Sequence, residues 1–288
     1  MLPCIVGSVD VATEGASIVT EASAAGADVQ GWTADVASAV RSFHSTWQIM
    51  AANCRGGSHL ERGGVARART MLPVAPFNGV WGVTTDVDPA EVLDAVDEFA
   101  AGDLPWNVQL RPGYPPALDD ELARRGLTVT AEIPFMVLPE PEPLAGVVAA
   151  SAASFRRVET FADLDSTMSL LERGFGMPST LSREMFPMRL LFMASTWIAA
   201  DGEDVATGLG MMYDGWCGVF NVATPDEHRG RGFGSAVTAQ TVAAARTDGA
   251  RGAYLQSSQM GLRVYEKLGF VTVERWRQWT TAEYGGPD

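Results

Sequence analysis

The run Pro139-Glu-Pro-Glu-Pro143 divides the 288-residue chain nearly in half. Alternating proline removes backbone donors and fixes φ, so the run continues neither a helix nor a central strand and reads as a stiff linker. The expected organisation is a domain over residues 1–138, a linker over 139–145 and a second domain over 146–288. The two sides repeat one pattern. After the linker, Trp216 to Thr224 is β-rich, Ser235 to Ala245 is helical, and Gly252 to Ser257 is a strand. Leu262 to Leu268 is then a helix ended by Gly269, and Phe270 to Thr280 a last strand. Before the linker come a strand (Gly79 to Thr85), an amphipathic helix (Pro89 to Ala100) and a strand (Trp106 to Leu110). A helix from Leu118 to Arg125, ended by Gly126, and a strand from Leu127 to Leu138 follow. The equivalent points Gly79/Gly218, Val108/Leu255 and Gly126/Gly269 lie 139, 147 and 143 residues apart, a drift that loop insertions explain. Two copies of one βαβαβ unit in an α/β (α+β) fold is the economical reading. The first 40 or so residues, rich in Ala, Gly and Ser, predict no element. From Trp47 to Arg69 the pairs Gly56-Gly57 and Gly63-Gly64 predict loops or hairpin turns around short strands.

Composition narrows the class. With 47% apolar and 19% charged residues there is material for a core, and disorder is disfavoured. No apolar run approaches the ~20 residues of a membrane helix; Leu190 to Ala200 is short and broken by Ser195 and Thr196. The start, Met-Leu-Pro-Cys, lacks the basic-then-apolar layout of a signal peptide, so a cytoplasmic protein without a membrane partner is expected. Cys4, Cys54 and Cys217 are odd in number and far apart, which argues against a disulfide framework or structural zinc. His44 and His59 have no ligand-spaced partners, so no metal is expected. A net charge of −14 disfavours nucleic acid as a partner. That charge is uneven: −11 up to Leu144 and −3 after it, with 8 basic against 5 acidic residues between Pro225 and Arg277. A locally basic stretch in an acidic chain fits a small polyanionic ligand, or simply a solvated face.

One segment carries chemistry: Val222-Ala-Thr-Pro-Asp-Glu-His-Arg-Gly-Arg-Gly-Phe-Gly-Ser-Ala236. A strand ends near Thr224 and a helix begins near Ser235, with Arg229-x-x-Gly232-x-Gly234 between them. Glycines let a backbone approach a ligand closely, and N–H groups at a helix N-terminus cradle phosphate oxygens. A P-loop needs Gly-Lys-Ser/Thr, and no lysine is present. A dinucleotide fingerprint needs its third glycine elsewhere. The arrangement resembles the acetyl-CoA pyrophosphate loop of the GNAT superfamily of acetyltransferases, Gln/Arg-x-x-Gly-x-Gly/Ala. Some thirty residues on, Ser258-Gln-Met-Gly261-Leu-Arg-Val-Tyr265-Glu-Lys-Leu-Gly-Phe270 resembles that family's second signature, Asn-x-x-Ala-x-x-x-Tyr-x-x-x-Gly-Phe. Ser258 replaces Asn and Gly261 replaces Ala. The resemblance spans about Arg156 to Thr280.

The resemblance implies two tandem GNAT-like domains, each a mixed, mostly antiparallel sheet flanked by helices, with a splay between the fourth and fifth strands. It implies acetyl-CoA, or another short acyl-CoA, as cosubstrate. Val222, Ala223 and Thr224 would meet the pantetheine arm. Arg229, Gly230, Arg231, Gly232, Phe233, Gly234 and Ser235 would hold the pyrophosphate, and Ser258 would add a contact. A strand N–H near Val222 would polarise the thioester carbonyl for direct attack by an amine of a small molecule or peptide. Tyr265 would be the general acid, the alternative being a core tyrosine. Phe175, Met177, Glu184, Phe186 and Met188 would line the acceptor site, or serve packing. No general base is readable: Asp214 and Glu184 read as solvated carboxylates, and His228 as an exposed histidine. Cys217 reads as a small buried hydrophobe. In the first copy Asp86, Asp88 and Glu91 stand where the second has its Gly/Arg loop, and Leu122 where it has Tyr265, so that copy reads as degenerate. A non-catalytic acyl-CoA-binding regulator and a nucleotide-binding protein are the rival functions, and a homodimer is left open.

Overall fold

The computed structural model describes residues 29–138, 144–176 and 194–281. The first described element is a 25-residue helix, α1 (Val29–Asn53). A hairpin follows, β1 (Ser58–Arg62) and β2 (Val65–Arg69), turned by Gly63 and Gly64, both at positive φ. Then come β3 (Asn78–Gly82), α2 (Pro89–Ala100), β4 (Asn107–Leu110), α3 (Ala117–Arg124) and β5 (Leu127–Leu138). The second half holds α4 (Leu144–Ala150), β6 (Ser154–Arg157), α5 (Phe161–Phe175), β7 (Ala194–Ala200), β8 (Asp204–Tyr213) and β9 (Trp216–Ala223). It closes with α6 (Phe233–Thr247), β10 (Gly252–Gln256), α7 (Gln259–Lys267) and β11 (Val271–Thr281). The α/β class and the repeated βαβαβ unit stand as expected. Residues 144 and 145, read as linker, belong to α4.

What the sequence does not announce is that the two sheets are one. The strand order is β1-β2-β3-β4-β11-β5-β10-β9-β8-β7-β6. All neighbours are antiparallel except β3/β4 and β9/β10, which hold matching places in the two copies. β4, β3, β2 and β1 therefore mirror β10, β9, β8 and β7 about an axis between β11 and β5. The last strands are exchanged: β5, from the first half, pairs with β10, and β11, from the second, pairs with β4. Near this axis Gln256 Nε2 donates to Gln109 Oε1 at 3.0 Å. The two glutamines are 147 residues apart, the spacing of Val108 and Leu255.

Helix α1 lies over the fused centre. Phe43 packs edge-on against Phe135, Tyr254 and Trp276, while Phe135 and Trp276 stack with centroids 5.2 Å apart. Ser42 and Thr46 bond the buried Tyr254 hydroxyl at 3.3 and 3.1 Å, and Trp216 Nε1 donates to Ser38 at 3.1 Å. These residues come from both halves, so the apolar burial that stabilises the centre belongs to neither alone. Trp47, at the start of the stretch read as loops and hairpins, is instead inside α1. No helix among the described residues is long and apolar enough to cross a membrane.

Candidate functional site

The site begins where β9 and β10 part. Their pairing runs from Gly252/Trp216 to Tyr254/Gly218 and stops. Beyond it, Val219–Ala223 bond to β8 on one side, and β10 continues against β5. On the β8 side the register slips by one residue between Phe220/Leu209 and Ala223/Thr207. The extra residue is accommodated at Asn221, whose φ is +52°. Asparagine tolerates this left-handed region better than most side chains, and such a bulge takes backbone groups out of the ladder. The disrupted ladder with β8 thus lies beside Val222, in the strand that borders the gap. The sequence reading missed the bulge; an Asn inside a β-rich run was its only signal.

Just past β9, the chain makes a short 3₁₀ turn, Asp226–His228, and then the glycine loop. Gly230 and Gly232 have φ of +75° and +84°, and nothing lies within 4 Å of where their Cβ atoms would be. Glycine is required for the backbone, and the space beside it is open. Gly232 caps α6, whose first intrahelical bond runs from Ala236 N–H to the Gly232 carbonyl. The N–H groups of Phe233, Gly234 and Ser235 precede that bond, as at any helix start. Aligned peptide dipoles add partial positive charge there. Such a turn fits an anionic pyrophosphate. The Phe233 side chain takes no part in it, being buried against Ala153, Ala199, Val205 and Val237.

The two loop arginines are less available than the sequence reading assumed. Arg229 donates from Nε to the Thr224 carbonyl (3.1 Å) and from Nη2 to the Gly174 carbonyl (2.9 Å), while Nη1 pairs with Asp226 (2.6 Å). Arg231 pairs with Asp201 and covers the Phe233 ring at 4.7 Å from its centroid. Each cation is matched by a carboxylate, which leaves the backbone N–H groups at the start of α6 as the loop's main donors for an anion. His228 is buried rather than exposed, because the 3₁₀ turn folds it toward the β7–β8 hairpin, with Nε2 3.7 Å from Glu203.

Ser258 caps α7, its Oγ accepting the Gly261 N–H at 3.1 Å. Two turns on, Tyr265 meets Phe270 edge-on with centroids 6.0 Å apart. Tyr265 and Val222 pack on the same apolar cluster, with Val219 and Leu255 in its core. The Tyr265 hydroxyl makes no hydrogen bond to any described residue, and burial pushes its pKa up to about 12. A Cβ on Gly261 would stand 2.8 Å from the ring, which accounts for glycine where the family signature has alanine. Burial also raises the Cys217 thiol to about 12, as befits a packing residue rather than a nucleophile. Asp214, at φ +48° beside Gly215 at +76°, forms the β8–β9 hairpin turn at the opposite end of β9 from the loop. Phe175 ends α5 and packs on the cluster that holds Leu171 and Ala223 together with Leu72 and Val74 of the first half. Met177, Glu184, Phe186 and Met188 lie outside the described residues.

The equivalent place in the first half is built differently. Asp88 caps α2, accepting the Ala90 N–H at 2.9 Å, so this helix N-terminus carries its own carboxylate. Glu91, also in the first turn, is buried and paired with Arg62 (2.8 Å) and Arg67 (3.1 Å). Arg111, which matches Ser258 at the 147-residue spacing, donates to the Val83 carbonyl (2.8 Å) and in bidentate fashion to Glu274 (2.9 and 2.5 Å). It stitches together the ends of β3 and β4 where β9 and β10 diverge. Leu122, at the position of Tyr265, is fully buried.

An acetyltransferase (GNAT) domain model matches residues 193–272, which contain the bulged strand, the glycine loop and α7. Residues 193–272 thus hold a GNAT acetyltransferase domain. No curated protein matches its sequence significantly. Among solved structures, the chain is similar in fold to a GCN5-related N-acetyltransferase from Kribbella flavida. Identity there is 21% and the TM-score 0.64, over 85% of this chain and 95% of that one. A functionally unknown conserved protein from Staphylococcus epidermidis is 12% identical, with a TM-score of 0.58 over 78% and 94% of the two chains. A tandem GNAT protein from the clavulanic acid biosynthesis pathway is 16% identical, with a TM-score of 0.52 over 78% and 79%.

Proposed function

We propose that the chain moves an acetyl, or another short acyl, group from acyl-CoA to an amine of a small molecule or peptide, in the gap between β9 and β10. The observation that carries this reading is the juxtaposition of that gap with the glycine-turned start of α6. The N–H groups of Phe233, Gly234 and Ser235 would hold the pyrophosphate. The edge of Val222 to Thr224 would align the pantetheine arm, and a backbone N–H at the bulge would polarise the thioester carbonyl. Acyl-CoA supplies the activated carbonyl and a thiolate leaving group. Tyr265, protonated throughout the physiological range, would donate a hydrogen bond to that thiolate. The net charge of −14 favours a cationic acceptor. The first half would serve as a degenerate copy that completes the sheet and binds no cofactor.

Release of free thiol from acetyl-CoA, followed across a panel of polyamines, aminoglycosides and peptide amines, tests the reading. Amine-dependent release is expected. Binding of acetyl-CoA with no release from any amine would instead make the chain an acyl-CoA-binding regulator. Gly234→Asp tests the loop. A carboxylate in the first turn favours the helix itself, so α6 is expected to persist while charge and bulk oppose the phosphates. Acetyl-CoA affinity should fall at least about tenfold by calorimetry, and unchanged affinity would remove the loop from the binding site.

A further inference from the structure

We infer that Arg229 is a positioning residue: its guanidinium clamps the cofactor loop onto the last turn of α5, and it does not serve as a phosphate contact. Three observations converge. First, all three guanidinium nitrogens are committed, to Thr224 at the end of β9, to Gly174 near the end of α5, and to Asp226 inside the turn. A planar fork whose three nitrogens have partners in three segments fixes their relative placement, and its charge is already matched by Asp226. Second, the surfaces that it joins are in close contact. A Cβ on Gly174 would lie 2.9 Å from Ala223 Cβ and 3.3 Å from the Thr224 nitrogen, so only glycine lets α5 approach this closely. Third, the preceding residue repeats the tie, with Arg173 pairing with Glu227 in the same turn. The carbonyls near a helix C-terminus lack intrahelical donors, and a guanidinium suits them. The cofactor loop and the last turn of α5 are thereby coupled.

This inference rests on the proposed role of the loop in acyl-CoA binding, and the experiment separates the two. Arg229→Lys keeps the charge but cannot span Thr224, Gly174 and Asp226 together. If Arg229 clamps the loop, Arg229→Lys and Arg229→Met should both weaken acetyl-CoA binding about tenfold. Gly174→Ala, which leaves every charge in place, should weaken it to a similar degree. Combining Gly174→Ala with Arg229→Lys should add little, since both break one junction. Arg229→Lys binding within about twofold of wild type, with only Arg229→Met impaired, would show a charge contact and overturn the clamp. Hydrogen exchange on the ligand-free full chain gives a second readout. Arg229→Lys should speed exchange in peptides covering both 170–176 and 224–232, and unchanged protection would overturn the proposal. Wild-type protein that fails to bind acetyl-CoA would sink the cofactor reading alone, and the exchange data would still decide the clamp.

Discussion

Tyr265→Phe is expected to lower kcat by about 10²–10³-fold while leaving the Kd for acetyl-CoA nearly unchanged. The ring is held by Phe270 and by the space at Gly261, and phenylalanine keeps both contacts. What it loses is a hydroxyl that no described residue occupies. With the pKa pushed to about 12, the phenol is a poorer acid than free tyrosine, and outright proton transfer to a thiolate of pKa near 8.5 is uphill. On the proposed mechanism its contribution would be a hydrogen bond to charge that develops as the C–S bond breaks, an interaction stronger in the transition state than before it. The donor is the neutral form, which is lost only as pH rises through about 12. Tyr265 therefore contributes no alkaline limb to the kcat profile at ordinary assay pH. Steady-state rates with single-turnover controls check this, and an unaltered rate with chemistry limiting would make Tyr265 a packing residue.

A fragment starting at Leu144 is expected not to fold on its own, although it contains the whole stretch matched by the family model. Its sheet would lack β5, which sits between β10 and β11. β11 would lose the long ladder running from Val271/Val137 to Thr281/Leu127, and β10 would keep only its short parallel pairing with β9. The buried Phe135, Met136, Val137 and Leu138 would leave the central clusters, and Trp276 would lose its stacking partner. Several large apolar side chains at about 1.5–3 kcal/mol each exceed the margin by which most domains are stable. Near-UV circular dichroism and urea unfolding should show no cooperative transition. A cooperatively unfolding fragment that binds acetyl-CoA would refute the shared centre.

The strand–helix alternation on both sides of the linker was legible because alternating apolar runs and terminal glycines are local signals. Gly126 and Gly269, both at positive φ, mark the starts of β5 and β11 where the sequence reading put them. The exchange of those strands was not legible. Either strand could complete either sheet with the same apolar pattern, and the choice rests on non-local packing around Phe43 and Trp276. Helix α1 was missed because its first turn has no acidic residue and its last no basic one, and its small residues blur the helical period. In the site, backbone features were readable from glycines. The partners of Arg229 and Arg231 were not, since a carbonyl on α5 and a carboxylate in the β7–β8 hairpin are far away in sequence. The bulge at Asn221 needed the register of β8 to reveal it.

The central claim is that one of two related folds in this chain retains cofactor chemistry. In the second half the fourth and fifth strands part beside a helix N-terminus with open space around its glycines. In the first half Asp88 caps the matching helix and the Arg111–Glu274 pair closes the matching gap. Calorimetric titration of the full chain with acetyl-CoA addresses this most directly. Saturation at one equivalent per chain, with affinity at least about tenfold weaker in Gly234→Asp, is the expected result; saturation at two equivalents, or one equivalent whose affinity Gly234→Asp leaves unchanged, would contradict it.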